Sequence, residues 1–320
     1  PANKLIDKHA VSNTEIIFLF ISSLSSISFT DNNKGGAYVD IQSSAFSNCT
    51  ALKNISFSKN VRYLGDSSFS GCSSLVSIEL DDAITTIERL AFCNCSSLKS
   101  ITLPSKLKKL GYSFIANTQI TSLTIPAGLT TCTTGGSSTY ESQYGPLGGA
   151  SALSELILEP GMENIPDNLA RVESTSNTHM ASVSIPDSVT SIGNNSFSYN
   201  QALISFTFEE GTLIKTFGTS LIANCPLIET FTVPKTVTTL GNNDFENCIS
   251  LKSVIFEEGS KLTKVGSSTF KASGIESIAF PDSVTTFTTV KSPNVNSSNA
   301  LFQNCVNLKS VTLGSKTTFL

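Results

Sequence analysis

The chain has 320 residues, 39% of them hydrophobic but only 14% charged, with a net charge of −4. A protein that grips nucleic acid concentrates Lys and Arg to neutralise phosphates, and one that rests on anionic lipid needs a polybasic patch; the composition offers neither. No stretch reaches the roughly 18 apolar residues of a membrane span, so direct membrane insertion within the chain is not expected.

The first apolar run, Ile16–Ile21, is short, and Phe18, Ile21, Leu24, Ile27 and Phe29 share a spacing that recurs downstream. It reads as the first turn of a repeat rather than as a signal sequence. After a loop at Asp31–Gly36, Ile41 and Phe46 restart the pattern, which Cys49, Leu52, Ile55 and Phe57 complete. Phe69, Cys72, Leu75, Ile78 and Leu80 then give F-x-x-C-x-x-L-x-x-I-x-L. Phe92, Cys95, Leu98, Ile101 and Leu103 repeat it 23 residues later. A period between about 20 and 50 residues marks a solenoid. Because each unit of such an array contacts mainly its neighbours, a single domain over 1–320 is expected, with about twelve turns.

The next turn has Phe114, Asn117, Ile120, Leu123 and Ile125, with Asn117 counted in the Cys place. An insertion over 130–146 precedes Leu147, Ala150, Leu153, Leu156 and Leu158. A second, over 168–178, precedes Met180, Val183 and Ile185. Regular turns follow, anchored at Phe197, Ile222, Phe245 and Phe270. A third insertion over 288–299 leads to Phe302, Cys305, Leu308, Val311 and Leu313. Gly314–Leu320 either caps the last turn or begins a further unit, and the start at Pro1 rather than Met leaves room for a leader, so truncation at either end is expected.

Alternation makes L-x-x-I-x-L a short strand with Ile78 and Leu80 inward and Ser77 and Glu79 outward. Pro104, Pro126, Pro186, Pro234 and Pro281 follow the last strand hydrophobe and mark where pairing stops, since proline lacks an N–H. Gly65, Gly111, Gly193, Gly218, Gly241 and Gly266 recur at one place, predicting a tight or left-handed backbone position. The hydrophobe before each of them is expected in a second, weaker strand.

Cys95–Pro104, Pro186–Phe197 and Pro234–Phe245, with Leu251–Phe270 in a longer form, follow C-x-x-L-x-x-I-x-L-P-x-x-[VL]-x-x-I-G-x-x-A-F. In this the chain resembles the leucine-rich repeats of the BspA-like, Treponema pallidum type over roughly nine tenths of its length. The expected fold is a leucine-rich repeat solenoid, a curved right-handed parallel β solenoid with short strands and short helical or irregular convex turns. The resemblance implies a non-enzymatic cell-surface or secreted protein that adheres to host, matrix or other cell-surface proteins. The alternative is an intracellular or periplasmic protein-interaction scaffold. The family brings no shared catalytic motif.

The outward strand positions stack into two columns, among them Ser77, Ser100, Ser122, Ser205 and Thr230, and beside them Glu79, Thr102, Thr124, Thr207 and Thr232. Two readings stand. Small hydroxyl residues suit a crowded concave face, and they also suit a strip for an extended protein partner. An extracellular or cell-surface protein is the expected partner. Carbohydrate fits less well, because a sugar platform wants exposed aromatics and these columns have none. Nucleic acid is not expected. Tyr140, Glu141, Gln143 and Tyr144 in the first insertion are the other candidate contacts, since insertions on rigid scaffolds often carry function.

Cys49, Cys72, Cys95, Cys225, Cys248 and Cys305 share one place, which predicts a column of buried free thiols. Cys93, one residue removed from Cys95, is expected to be exposed. His9 and His179 lie too far apart for a shared metal site, and Asp81–Asp82 and Glu209–Glu210 read as solvated turn edges. No catalytic residue, metal or cofactor is expected. Sequons at Asn48, Asn54, Asn94, Asn194 and Asn296 follow from the Asn-, Ser- and Thr-rich composition, and Asn296 is the best placed acceptor.

Overall fold

The computed structural model describes residues 14–16, 22–29, 38–136, 143–172, 179–288 and 300–317. The chain divides into two compact units, Pro1–Glu159 with Thr175–His179, and Pro160–Ser174 with Met180–Leu320. Each is a parallel β solenoid.

In the first unit Thr14–Ile16, Val39–Ile41, Val61–Leu64, Thr86–Ile87, Lys109–Leu110 and Thr131–Cys132 pair in that order. Ile41, Leu64, Ile87, Leu110 and Cys132 stand in register. The second unit builds the same ladder from Asn164–Ile165, Ser191–Ile192, Thr216–Phe217, Thr239–Leu240, Lys264–Val265 and Thr286–Phe287. This is the strand that the spacing marks as the weaker, yet it carries the longer run of continuous pairing. The L-x-x-I-x-L segments pair only two by two, as in Ser77–Glu79 with Ser100–Thr102, or Thr230–Val233 with Ser253–Phe256.

The recurrent glycines explain how the longer ladder closes up. None of the six has a left-handed backbone. Instead, a Cβ on Gly111 would run into the Arg89 amide, and one on Gly241 into the Gly218 carbonyl. Close approach between turns, and not backbone freedom, is what excludes a side chain there.

Among the described residues the convex turns contain no helix. Most are irregular turns with two left-handed residues four apart, such as Leu90 (φ 57°) and Asn94 (φ 59°), or Asn243 (φ 60°) and Asn247 (φ 58°). Asn is enriched at the second place because its short polar side chain tolerates this conformation. Turning the backbone in this way points amides along the array. Phe69 N–H donates to the Ala91 carbonyl, Phe92 to Phe114 and Phe245 to Thr269, each at 2.8 Å. With turns held at one spacing the aromatic fillers stack, Phe46 on Phe69 at 5.3 Å, Phe69 on Phe92 at 5.4 Å and Phe245 on Phe270 at 5.4 Å. These rings are fully buried.

The same hydrogen bonds correct one alignment. Since Phe69 donates to the residue before Phe92, the Phe92 bond places Phe114 before its turn's core residue, which is Ile115. Thr118 then occupies the Cys place, buried, and Asn117 is the left-handed residue at φ 56°. One residue fewer separates Thr118 from Ile120 than separates Cys95 from Leu98, so counting back from Ile120 lands on Asn117. Asn168–Val172 also follow the regular turn, with Asn168 N–H on Asn194 O and Ala170 N–H on Ser196 O.

One polar residue departs from the turn's usual chemistry. At the place of Asp244, Ser196 and Thr269 donate to the Gly193 carbonyl (2.8 Å) and the Gly266 carbonyl (2.7 Å). The Asp244 carboxyl instead accepts from Gly241 N–H (2.6 Å) and Leu221 N–H (3.2 Å), and burial pushes its pKa up to about 7. A carboxyl whose folded pKa is raised favours the fold fully in acid, below its unfolded value near 4, and loses that contribution as pH rises to about 7. The thermal midpoint of the second unit is therefore expected to fall between pH 5 and pH 8, and Asp244→Thr is expected to flatten that slope. Equal slopes in the two proteins, measured by circular dichroism, would contradict this. Gly241→Ala is expected to cost about 1–3 kcal/mol through overpacking against Gly218. Gly211→Ala, with open space around its Cβ but φ 83°, is expected to cost about 1–2 kcal/mol through backbone strain alone. Urea midpoints check both.

Candidate recognition surfaces

The pleat that drives Ile78 and Ile101 inward leaves their neighbours outside. Ser77, Glu79, Ser100, Thr102, Ser122, Thr124, Ser205, Thr207, Thr230 and Thr232 are all exposed. Within the first unit Ser77 stands opposite Ser100 and Glu79 opposite Thr102, while Ser122 Oγ donates to Glu155 Oε2 at 2.6 Å. Within the second, Ser205 pairs with Ser182 and Thr230 with Ser253. Neighbouring strands lie about 4.8 Å apart, so these columns present hydroxyls at a regular pitch.

One depression on this face has little signature in the sequence. In the second unit, Phe256, Glu257 and Glu258 border an open hollow of about 570 Å³ floored by Ser253, Ser277, Ala279, Ser310 and Thr312. Its signal is the longer Glu257-Glu258-Gly259 turn, in which Gly259 takes φ 76°. The wall is fixed, because Glu257 Oε2 accepts from Lys235 N–H at 2.9 Å.

That bond also revises the view of acidic turn edges as merely solvated. Glu209 accepts from Asp187 N–H at 3.3 Å and Asp82 from Ser105 N–H at 2.7 Å. The Ser105 bonds hold the Asp82 carboxyl below its usual pKa. These side chains cap the backbone where proline has ended the strand.

The first insertion begins as a hairpin. Gly135–Gly136 pairs antiparallel with Gln143–Tyr144, and the Tyr144 ring meets the Tyr112 ring edge-on at 5.7 Å. Tyr140 and Glu141 lie outside the described residues, as does Asn296. His179 is exposed and its Nδ1 lies 2.6 Å from the Ser151 carbonyl, a backbone tether rather than a link to an acid. The side chain of Asn94 accepts from Asn117 at 2.9 Å, and Asn194 bonds both Asp167 and Thr219, so these two sequons are already engaged within the array.

The cysteine column has a structural job. Cys72 Sγ donates to the Phe46 carbonyl (3.3 Å), Cys95 to Phe69 (3.2 Å), Cys225 to Phe197 (3.3 Å), Cys248 to Ile222 (3.2 Å) and Cys305 to Phe270 (2.8 Å). Asn200 does the same with its amide, donating to Ala170 at 2.9 Å. The site takes a small side chain whose donor adds a second bond to a carbonyl already reached within its own turn, as Phe46 O is by Cys49 N–H at 3.3 Å. All eight cysteines are free, and Cys93 is buried as well, contrary to the expected exposure. Period-two alternation does not hold in a turn whose Leu90 and Asn94 are left-handed. Among the described residues no group of His, Cys, Asp or Glu is placed to hold a metal ion, and no helix is long and apolar enough to cross a membrane.

Burial raises the Cys225, Cys248 and Cys93 thiols, Cys248 to about 12, and the hydrogen-bonded Cys95 thiol followed by burial raises Cys72. A thiol held protonated is a poor nucleophile. Maleimide under native conditions is therefore expected to modify Cys132 and Cys305, the two half-buried cysteines, and all eight only after denaturation. Rapid native labelling of Cys72 or Cys248 would contradict the packing.

Comparison with known proteins agrees with this geometry. The family model for the BspA type leucine rich repeat region matches residues 11–141 and 172–291, in six copies. No curated protein sequence matches. A leucine-rich repeat protein from Bacteroides ovatus superposes with a TM-score of 0.54 at 19% identity, over 99% of this chain and 90% of that one. A leucine rich cell surface protein from Faecalibacterium prausnitzii gives 0.47 at 24% identity, over 91% and 73%. The leucine rich repeat protein of T. pallidum gives 0.38 at 21% identity, over 63% and 77%.

Proposed function

We propose that this chain, which belongs to the BspA-type leucine-rich repeat family, is a non-enzymatic recognition protein, displayed at a cell surface or secreted, that binds host, matrix or other cell-surface proteins. The observation that carries this reading is the pair of exposed columns on paired strands within each unit, Ser77, Glu79, Ser100 and Thr102 in the first, and Ser205, Thr207, Thr230 and Thr232 in the second. In each unit the Ser and Thr side chains of these columns have little rotamer freedom to lose, which lowers the entropic cost of docking an extended protein segment. Tyr144 adds an aromatic at the base of the hairpin. Carbohydrate remains the poorer ligand for these columns, which offer no ring on which a sugar could stack.

A second reading is favoured by one observation. All eight cysteines are free thiols, as in proteins of reducing compartments, which fits a scaffold inside the cell. Most of them are buried and so protected from oxidation wherever the protein resides, and this weighs against the second reading.

The test is a binding panel of extracellular-matrix and cell-surface proteins. It compares the intact protein, a Ser100→Lys/Thr102→Lys/Ser205→Lys/Thr207→Lys variant, and Tyr144→Ala. A reproducible partner is expected to lose at least about tenfold in affinity with the lysine variant, since crowded positions then carry like charges side by side. A partner whose binding survives both variants would show that neither surface is used.

A further inference from the structure

The chain contains six Tyr and three Arg, the residues most enriched at protein hot spots. Their distribution is uneven. Tyr199 and Arg171 are buried in the second unit. The remaining described ones, Tyr38, Arg62, Tyr63, Arg89, Tyr112 and Tyr144, are exposed or half-buried and gather along the continuous ladder of the first unit. The strand-face columns have none of them.

The second unit supplies a control for what this place in the turn requires. There the residue two places after the ladder hydrophobe is small, and its side chain caps the next turn's backbone. Asp167 accepts from Asn194 N–H (2.6 Å), Asn194 from Thr219 N–H (2.8 Å) and Asn242 from Ser267 N–H (2.9 Å). The equivalent residues of the first unit are Asp66, Arg89 and Tyr112. Their side chains bond one another instead, Arg89 Nε donating to Asp66 Oδ2 (2.6 Å) and Arg89 Nη1 to Tyr112 Oη (2.9 Å). The Tyr112 N–H goes to Thr133 Oγ1 at 3.1 Å. Stacking the array does not call for an arginine or a tyrosine here.

Their geometry narrows the ligand. The Arg62 guanidinium covers the Tyr38 ring. Arg89 lies 5.7 Å from the Tyr112 ring centroid, and the same ring packs on Gly135 and Tyr144. These contacts take up ring face that a sugar would stack on, whereas the Arg89 side chain is 51% exposed. Charge narrows it further. Arg89 is neutralised by Asp66 and Lys109 by Glu88 (2.7 Å). Among the described residues Arg62 has no carboxylate within ion-pair distance and Lys108 bonds the Gly128 carbonyl (3.0 Å), while the exposed Asp40 stands opposite Tyr63 on the preceding strand. Arg62, Thr85 and Lys108 follow one another on adjacent strands through backbone hydrogen bonds. The Arg62 and Lys108 backbones are therefore two strand spacings, roughly 10 Å, apart, and their charged ends reach outward from there, toward Tyr38 and Gly128.

We propose that this Tyr/Arg strip of the first unit is a docking surface for an extended acidic segment of a protein partner, with Arg62 and Lys108 pairing its carboxylates and the Arg89–Tyr112 pair, four residues further along the chain from the Thr85–Lys108 row, forming a preorganised flank. The inference rests on the recognition role proposed above and moves its energetic centre away from the strand-face columns.

The test uses the full chain and a short fluorescein-labelled peptide of alternating Glu and Ser, with the Gln/Ser peptide and heparin as comparisons, read by fluorescence anisotropy at two salt concentrations. The intact protein is expected to bind the Glu peptide in preference to the other two, more weakly as salt rises. Arg62→Gln/Lys108→Gln is expected to weaken binding about tenfold, two exposed ion pairs being lost at once. Lys215→Gln/Lys264→Gln, altering exposed lysines of the second unit's ladder, is expected to leave it unchanged, with circular dichroism confirming that both variants fold. The proposal is overturned if the Gln peptide binds as well as the Glu peptide, if heparin binds and the peptide does not, or if the Arg62/Lys108 variant keeps full affinity. If such a failure occurred while a cell-surface partner was still captured through the strand face, the broader recognition role would stand and only this strip would be discarded.

Discussion

One hydrogen bond, repeated from turn to turn, sets the geometry on which everything else depends. The amide at the core-filler position donates to the carbonyl just before the next turn's filler, as Phe69 does to Ala91 and Phe245 to Thr269. Left-handed residues, two in most turns, bend the backbone so that its amides lie along the array. The bond fixes the spacing, and the spacing then dictates side-chain size at three other places. The filler must be large enough to touch its neighbours, the cysteine place must be small, and the glycine place carries no side chain in most turns. Hydrophobic burial supplies the driving force, but it is this bond that selects the register.

That division explains what the sequence could disclose. Core positions recur with a fixed period and fill one interior, so the parallel solenoid and the stacked Phe69, Phe92 and Phe245 are legible from spacing alone. Backbone conformation is not encoded by period. The left-handed places accept Ser, Asn, Leu, Ala or Gly, and nothing in Leu90 or Ala272 announces φ > 0. Hence the burial of Cys93 was hidden, and a single missing residue was enough to put Asn117 where Thr118 belongs. The ladder's continuity was hidden too. Two-residue strands such as Lys109–Leu110 look negligible in sequence, and only the bare glycines beside them show how closely the backbones approach.

Surface assignments were legible only in part. Alternation correctly turns Ser100 and Thr102 outward, because a pleat has two sides. The gathering of Tyr38, Arg62, Arg89 and Tyr112 could not be read in the same way. Each belongs to a different turn, more than twenty residues from the next, and each resembles an ordinary surface substitution until the ladder brings them side by side. The Glu257-Glu258-Gly259 turn falls between these cases. Its extra length is visible in the sequence, but the hollow it borders requires the neighbouring strand pair. In both units the scaffold determines the interior and leaves the exterior free to vary, which is what permits one unit to carry small amides where the other carries arginine and tyrosine.

Amide hydrogen exchange tests the central claim most directly. If the bond at the filler position holds the turns in register, the amides of Phe69, Phe92, Phe197 and Phe245 exchange last, together and at the rate of global unfolding of their unit. If those amides exchange as fast as exposed turn amides such as Lys106 or Glu258, while the strand amides stay protected, the turns are held by strand pairing alone and the filler bond does not select the register.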